Sequence, residues 1–210
     1  MLVVAAAQLP LLASQSPRRD PPRPPKALAA ILRSRVIACL RAQDGETAMQ
    51  AAHAAVRGGV SVVVEDLRKS YPSLTFGVGT VLNADDARKA IRAGAQFLMS
   101  PGTVMEILHD LDGSEVLYIP GVLTPTEVYP VSAIGGEMYM SALKKPFPLV
   151  PMVASQGITI GSIKSYMEAG ASAVVLSDAI FDKELMRERD FIGISALANQ
   201  ATLQASQCGR

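Results

Sequence analysis

The amino-acid sequence predicts an α/β fold in which buried parallel strands alternate with helices. Short continuous runs of apolar, mostly β-branched residues recur after residue 34, which is typical of strands covered on both faces. Longer alanine-rich segments with helical spacing separate most of these runs. Alternation of this kind implies right-handed βαβ units, and eight such units would close a TIM (β/α)8 barrel.

The predicted strands share a continuous apolar run, and they cover residues 36–40, 60–64, 74–78, 96–99, 116–119, 150–153 and 173–176. The predicted helices cover residues 46–57, 84–93, 104–110, 136–143 and 160–169, and a helical tail begins at about residue 183. Two of these helices end in the phrase Ala-Gly-Ala, at Gly94 and at Gly170. Glycine at that place predicts a left-handed C-cap that leads directly into the next strand.

The strands are too few, and two connections too short, for a complete barrel. Nine residues separate the run that ends at Val64 from the run that begins at Leu74, and Pro72 is among them. A βα crossover with its helix takes at least about 10–12 residues, so this unit lacks most of its helix. Residues 120–135 leave room for at most one very short strand, at 128–129. We therefore expect an incomplete barrel, without parts of β2–α2 and of α5–β6 in barrel numbering.

Residues 1–34 differ from residues 35–210, and we expect the barrel domain to begin at residue 35. An apolar start is followed by a segment dense in proline and arginine, with Asp20 as its single acidic residue. Because prolines at this density oppose helix formation, we expect residues 1–34 to be a disordered tail. Such an arginine-rich, acid-poor start is typical of organelle transit peptides. The alternatives are an untargeted tail or an imprecise gene start.

The composition argues against several classes of function. The formal net charge is +1, with 20 basic and 19 acidic side chains, so the chain has no electrostatic basis for binding nucleic acid. Its apolar runs are far shorter than the roughly 18 residues that indicate a membrane helix. The two histidines, His53 and His109, lie in helical patterns, and no convergence of ligands indicates a metal site.

Three motifs at predicted strand ends resemble those of one enzyme family. They read GVGTVLN at residues 77–83, AGAQFLMSPG at 93–102 and IPGVLTPTE at 119–127. Over residues 35–201 the chain resembles the 2-keto-3-deoxy-6-phosphogluconate/4-hydroxy-2-oxoglutarate (KDPG/KHG) aldolase family. Its N-terminal segment resembles that of plant, chloroplast-targeted members, and the cytoplasm is the alternative location.

The resemblance implies an aldolase-type barrel and an aldehyde-lyase of class I. In such enzymes a lysine amine condenses with a 2-keto acid, and the Schiff base is the electron sink for retro-aldol cleavage to pyruvate. The resemblance also implies a small 2-keto acid as substrate, no cofactor, and a homotrimer. Carried over to this chain, the residues that line the keto-acid pocket are Thr80, Pro101, Gly102, Pro120 and Gly121.

The phosphate end of the family site departs from the pattern. Ser155 and Gly157 stand where family members often have Gly-Gly, and Ser177 begins a Ser-Asp-Ala in place of Gly-Gly-Ser. Anion sites are built from backbone N–H groups and exclude carboxylates. Asp178 therefore favours a smaller keto acid over a phosphorylated one.

The Schiff-base lysine of the family has no matching residue. It lies on the sixth strand in a Lys-x-Tyr/Phe-Pro pattern, whereas here Glu127 is followed directly by Val-Tyr-Pro. No lysine of this chain ends an apolar strand, where burial could lower the pKa of the amine for nucleophilic work. The lysines are Lys26, Lys69, Lys89, Lys144, Lys145, Lys164 and Lys183.

The catalytic glutamate of the family is displaced. It ends the second strand, and Val64 occupies that position here. Glu65 follows one residue later, and a shift of one residue points a strand side chain to the opposite face. Glu65 can act as the base only if the turn rearranges.

Three hypotheses about function stay open. The chain is an active keto-acid lyase with an unrecognised lysine, or a catalytically inactive barrel variant that modulates a full-length partner. The third hypothesis is a non-functional product of missplicing or of an imperfect gene model, because both losses fall between family motifs.

Overall fold

The computed structural model describes residues 2–4, 25–42, 44–63, 74–121 and 136–208. The strands are β1 (Leu2–Val4), β2 (Val36–Ala38), β3 (Val62–Val63), β4 (Thr75–Gly79), β5 (Phe97–Met99), β6 (Leu117–Ile119), β7 (Met152–Ser155) and β8 (Ala173–Leu176). The helices are α1 (Lys26–Ser34), α2 (Gly45–Arg57), α3 (Ala84–Ala93), α4 (Met105–Asp110), α5 (Gly136–Lys144), α6 (Ile163–Glu168), α7 (Lys183–Glu188) and α8 (Phe191–Gln207). Glu65, Glu127 and the short strand expected at 128–129 lie outside the described residues.

One eight-stranded sheet orders its strands as β1-β7-β8-β2-β3-β4-β5-β6. The strands from β2 to β8 pair in parallel, as Ile37 opposite Val175 and Leu98 opposite Tyr118 illustrate. β1 pairs antiparallel with β7, with Val3 opposite Val153. Because β2 to β8 run in one direction, their carboxyl ends form a single rim of the sheet.

The inner face of the sheet encloses an apolar core. Strands from both ends of the sheet order contribute to this one cluster, which requires the sheet to curve around it. The strand side chains in it are Ile37, Val62, Phe97, Met99, Leu117, Ile119, Val153, Ala173 and Val175. α1, which ends directly before β2, adds Ala27, Leu28 and Ile31. The ring of Phe97 fills the space beside Gly77, where an added Cβ would lie 2.3 Å from the ring.

Helices cover the outer face of the sheet in two groups. One core cluster packs α2, α5, α6 and α8 against the outward side chains of β2, β7 and β8, with Ala51, Ile163 and Ala198 among the fully buried residues. A second cluster packs α3 and α4 against β5 and β6 through Leu98 and Ile107. The strand–helix alternation read from the sequence is thus confirmed. Among the described residues no helix has both the length and the hydropathy to cross a membrane.

Local sequence signals fix several helix ends. The Asp44 side chain caps α2 by accepting the Thr47 backbone N–H at 2.8 Å, and this bond lowers the pKa of the Asp44 carboxyl below its ordinary value. Gly94 and Gly170 adopt φ angles of 104° and 106°. The two glycine caps predicted from the Ala-Gly-Ala phrases are therefore confirmed.

The structure corrects the expected tail boundary at residue 34. α1 forms within the segment assigned to the tail, directly after Pro25. It forms there because Ala27, Leu28 and Ile31 are buried in the core on the inner face of the sheet. Leu2–Val4 is likewise paired, as strand β1. Residues 5–24 lie outside the described residues, so their disorder stays a prediction.

Two other boundaries differ from expectation. The strand expected at residues 150–153 is Met152–Ser155, because Pro151 has no N–H to donate to a ladder and pairing begins after it. The helix expected at 160–169 opens with a 3-10 turn, Ile160–Ser162. There the Thr159 hydroxyl accepts the Ser162 N–H, and the Ser162 hydroxyl accepts the Thr159 N–H.

The C-terminal helix α8 is held against α2 by close contacts. A Cβ at Gly58 would lie 2.4 Å from the Ser195 carbonyl oxygen and 2.6 Å from the Ala198 Cβ. The Thr202 hydroxyl donates to the Gly58 carbonyl oxygen at 3.0 Å. Near the far end of α8 the Arg35 guanidinium donates to the carbonyl oxygens of Ala205 and Cys208. Backbone contact at Gly58 is therefore a packing requirement.

We predict that Gly58→Ala lowers the free energy of unfolding by about 1–3 kcal/mol, the usual cost of overpacking, because α2 and α8 must separate. Gly45→Ala is the matched control, since a Cβ at that position of α2 meets nothing within 4 Å. Urea denaturation followed by circular dichroism measures both variants. Equal stability of the two variants would contradict the role of the Gly58 contact.

Candidate functional site

Three neighbouring turns at the rim carry the residues that the sequence assigns to a keto-acid pocket. Thr80 follows β4, Pro101 and Gly102 follow β5, and Pro120 and Gly121 follow β6. Because β4, β5 and β6 are adjacent parallel strands, their carboxyl ends place these turns side by side. Thr80 is exposed, the β5 turn is half-buried, and the β6 turn is buried. The structure therefore brings these five residues to one stretch of the rim.

Hydrogen bonds join the turn after β4 to the turn after β5. The Val81 N–H donates to the Met99 carbonyl oxygen at 3.0 Å. The Ser100 side chain, which is fully buried, donates to the Val81 carbonyl oxygen at 2.7 Å. The Tyr118 hydroxyl donates in turn to the Ser100 Oγ at 3.0 Å. Buried polar groups satisfied in this way hold a loop in one conformation.

Backbone contact joins the turn after β5 to the turn after β6. A Cβ at Gly121 would lie 2.1 Å from the Pro101 carbonyl oxygen and 2.8 Å from the Gly102 nitrogen. The Thr103 hydroxyl donates to the Gly121 carbonyl oxygen at 3.3 Å. Only glycine permits this approach at position 121. Peptide groups therefore form much of the rim here, and peptide dipoles can bind a small carboxylate or carbonyl.

Two rim residues adopt a left-handed backbone that side chains disfavour. Thr80, after β4, has a φ of 64°, and Gln156, after β7, has a φ of 76°. This conformation costs about 1–2 kcal/mol for a residue with a Cβ, and it is rarest for β-branched residues. The other two such residues in the described chain, Arg35 and Arg189, are helix C-caps. Strain outside a helix cap makes these two turns candidates for a functional role.

The residues assigned to the phosphate end lie elsewhere on the same rim. Ser155 is the buried last residue of β7, and Gly157 is exposed beyond it. Ser177 follows β8, and its carbonyl oxygen accepts the Ile180 and Phe181 N–H groups at 2.9 and 2.8 Å. In the sheet order β8, β2 and β3 separate β7 from β4. Strand pairing therefore does not bring Ser155, Gly157 and Ser177 next to the turns after β4, β5 and β6.

An ion pair follows β8 at the place where the sequence departs from an anion site. The Asp178 carboxylate lies 3.9 Å from the Lys183 ammonium, and these side chains are 70% and 86% exposed. Such a pair is solvated and contributes little to stability.

The described lysines belong to other segments than the three joined turns. The ammonium of Lys89 pairs with Asp86 at 3.1 Å, and that of Lys164 lies 3.8 Å from Glu168. Lys144 donates to the Val150 carbonyl oxygen at 2.9 Å, before β7 begins and so toward the amino end of the sheet. Lys26 and Lys145 are exposed, and Lys69 lies outside the described residues. No described lysine lies in a strand or in the turns after β4, β5 and β6.

Sequence reasoning missed two residues that support these turns, Ser100 and Tyr118. Both could have been suspected, because a serine after a buried strand and a tyrosine inside an aliphatic strand need hydrogen-bond partners. Of the residues that the structure describes, no group of three or more His, Cys, Asp or Glu side chains could hold a metal ion.

Comparisons with known proteins identify one matching family. The KDPG and KHG aldolase family matches residues 28–197. The 2-dehydro-3-deoxy-phosphogluconate aldolase of Treponema pallidum (strain Nichols) is 28% identical over 200 residues, which cover 83% of this chain and 95% of that protein. The KHG/KDPG aldolase of Escherichia coli (strain K12) is 27% identical over 181 residues, covering 74% and 85%.

Among solved structures, the fold is similar to KDPG aldolase from Legionella pneumophila, with a TM-score of 0.75 and 25% sequence identity. The superposition covers 85% of this chain and 98% of that one. The Legionella structure holds pyruvate captured at low pH as a covalent carbinolamine intermediate.

We predict that Thr80→Gly raises the free energy of unfolding by up to about 1 kcal/mol, because glycine adopts the left-handed backbone without the steric cost of a Cβ. Thr80→Ala is the control, since alanine keeps the strained backbone and should bring no gain. Thermal unfolding by differential scanning calorimetry compares both variants with the parent. A Thr80→Gly variant no more stable than Thr80→Ala would contradict backbone strain at this turn.

Proposed function

The chain belongs to the KDPG and KHG aldolase family of class I aldolases and has the α/β fold of that family, and from this premise we propose that it binds pyruvate or a similar small 2-keto acid without completing the aldol reaction. The binding site is the set of turns after β4, β5 and β6. The observation that carries the proposal is the combination of three joined turns with no described lysine among them.

Support for binding comes from the geometry of the turns. Their order along the rim follows from parallel pairing, and their mutual positions follow from the Ser100 bonds and the Gly121 contact. None of these contacts depends on the strand that carries the family's Schiff-base lysine, which would follow Glu127 in this chain. A site for the carboxylate and carbonyl of a keto acid can therefore persist where the nucleophile is missing.

The proposal that the chain does not complete the aldol reaction is supported by the requirement of Schiff-base formation for a neutral amine. Schiff-base formation needs a lysine whose pKa is lowered by burial or by a neighbouring positive charge. The described lysines instead are exposed, pair with carboxylates or donate to a carbonyl. Lys183 begins the helix after β8, and its side chain is 86% exposed and paired with Asp178, so burial does not activate its amine.

The ion pair after β8 supports a small ligand. A phosphorylated substrate needs backbone N–H donors at this end of the rim, and Asp178 would repel its charge. Pyruvate has no phosphate and does not require this part of the rim. We therefore propose a keto acid without a phosphate group as the ligand.

We further propose that the barrel is incomplete, with segments lost after Val64 and after Glu127. The alignment with the Treponema pallidum aldolase runs over 200 residues but covers only 83% of this 210-residue chain, so parts of that protein have no counterpart here. Sequencing transcripts across both junctions tests whether the shortened form is expressed. Transcripts that all carry the longer segments would favour a gene-model product.

We predict that borohydride traps no covalent adduct between this chain and pyruvate, because none of the described lysines lies in a strand or in the turns after β4, β5 and β6. Intact-mass spectrometry measures the adduct, and the Escherichia coli relative is the positive control. Inserting a family segment with its lysine between Glu127 and Val128 should restore trapping. Turnover should also require Val64→Glu, because proton transfer needs its own group.

Binding, measured by isothermal titration with pyruvate, separates the three hypotheses. Binding without trapping supports the inactive binding barrel. A mass increase on one lysine would establish an active lyase and identify its nucleophile. Neither binding nor trapping would favour the non-functional product.

Assembly and location also stay proposals. We propose a homotrimer, because the family resemblance implies one, and light scattering on the purified chain measures the mass.

We propose chloroplast targeting from the arginine-rich start of the chain. Residues 1–34 fused to a fluorescent reporter should enter plastids, and a cytosolic reporter would reject this proposal. Because α1 begins at Lys26, a parallel fusion of residues 1–24 tests whether the signal ends before the fold.

A further inference from the structure

We propose that Tyr118 is a positioning residue for the keto-acid site, with its hydroxyl fixing the turn that carries Pro101 and Gly102. The inference rests on the proposed function, since it assigns a supporting residue to that same site. Tyr118 lies in β6 and is 6% exposed. Its side chain belongs to the outer cluster under α3 and α4, together with Leu98 and Ile107. It therefore acts from behind the turn and does not face the ligand.

The direction of each hydrogen bond around the Tyr118 hydroxyl follows from the donors available. The Ser100 hydroxyl directs its single proton to the Val81 carbonyl oxygen at 2.7 Å, so its Oγ is an acceptor for Tyr118 at 3.0 Å. The Val104 N–H donates to the Tyr118 oxygen, also at 3.0 Å. The bonds form one chain in which protons point from Val104 through Tyr118 and Ser100 to Val81.

This chain of bonds anchors the turn on both sides of Pro101 and Gly102. Ser100 precedes the pair, Val104 follows it, and the same phenol contacts both anchors. The Gly102 carbonyl oxygen lies 3.5 Å from the phenol oxygen, and the single phenol proton is already directed to Ser100, so this contact adds no further hydrogen bond. The peptide groups of the turn are thus oriented by a side chain that lies outside the pocket.

Phenylalanine at position 118 would keep the ring packing and remove only the hydroxyl. The Val104 N–H would lose its acceptor, and Ser100 would lose a donor in a fully buried place. The turn would then sample other conformations, and the ligand would have to select the productive one. A single hydrogen bond of this kind corresponds to an affinity change of about threefold to tenfold.

Tyr118→Phe tests the inference against Tyr166→Phe. Tyr166 is equally buried, at 3% exposure, but lies in α6 within the other outer cluster. We expect the pyruvate Kd of Tyr118→Phe to rise about threefold to tenfold while Tyr166→Phe leaves it unchanged. Hydrogen exchange at the Val104 amide should accelerate in the first variant only. Ser100→Ala removes the same link from its other partner and also the bond to the Val81 carbonyl oxygen, so it should weaken binding by at least a similar factor.

The outcomes separate this inference from the proposed function. If the parent chain binds no pyruvate, the proposed function fails, and Val104 exchange alone decides whether Tyr118 holds the turn. If the parent binds and Tyr118→Phe binds equally well, the inference is overturned. An equal loss of affinity in Tyr166→Phe would also overturn it, because the effect would then be general loosening of the fold. If Tyr118→Phe fails to fold, the same comparisons are made with Ser100→Ala.

Discussion

Hydrogen bonding between strands that all run one way is the constraint on which the rest of this molecule depends. The parallel pairing of β2 to β8 collects the carboxyl ends of these seven strands at one rim, while β1 runs antiparallel beside β7. Parallel strands also need helices on the outer face, and α2 to α8 supply them. The inner face is then left with a single apolar core around Phe97 and Ile119. Rim, helical layer and core are consequences of one pairing rule.

The best-defined part of the candidate site lies within one uninterrupted stretch of chain. Residues 74–121 hold β4, β5 and β6 with the turns that follow them. The Ser100 bonds, the Gly121 contact and the Tyr118 hydroxyl all join residues inside this stretch. Both proposed deletions fall outside it. A ligand site made of local backbone contacts can therefore keep its conformation when the segment that carries the nucleophile is absent.

The sequence predicted those features that depend on short-range patterns. Gly94 and Gly170 were identifiable as caps because a left-handed C-cap strongly favours glycine. The start of β7 was misplaced by two residues because hydropathy alone ignores the missing N–H of Pro151. α1 was missed because its burial depends on strands that follow it in sequence. The link from Tyr118 to Ser100 spans 18 residues, and periodicity carries no information about such a partner.

The contact between Phe97 and Gly77 limits how this core can evolve. The ring occupies the space that any side chain at position 77 would need, with an added Cβ only 2.3 Å from it. A lineage that enlarges residue 77 first meets a steric clash, and a lineage that shrinks residue 97 first meets a cavity. Neither single step is neutral, although the double change can be. Across descendants of this chain the two positions are thus expected to covary, and the order of substitutions is constrained by epistasis.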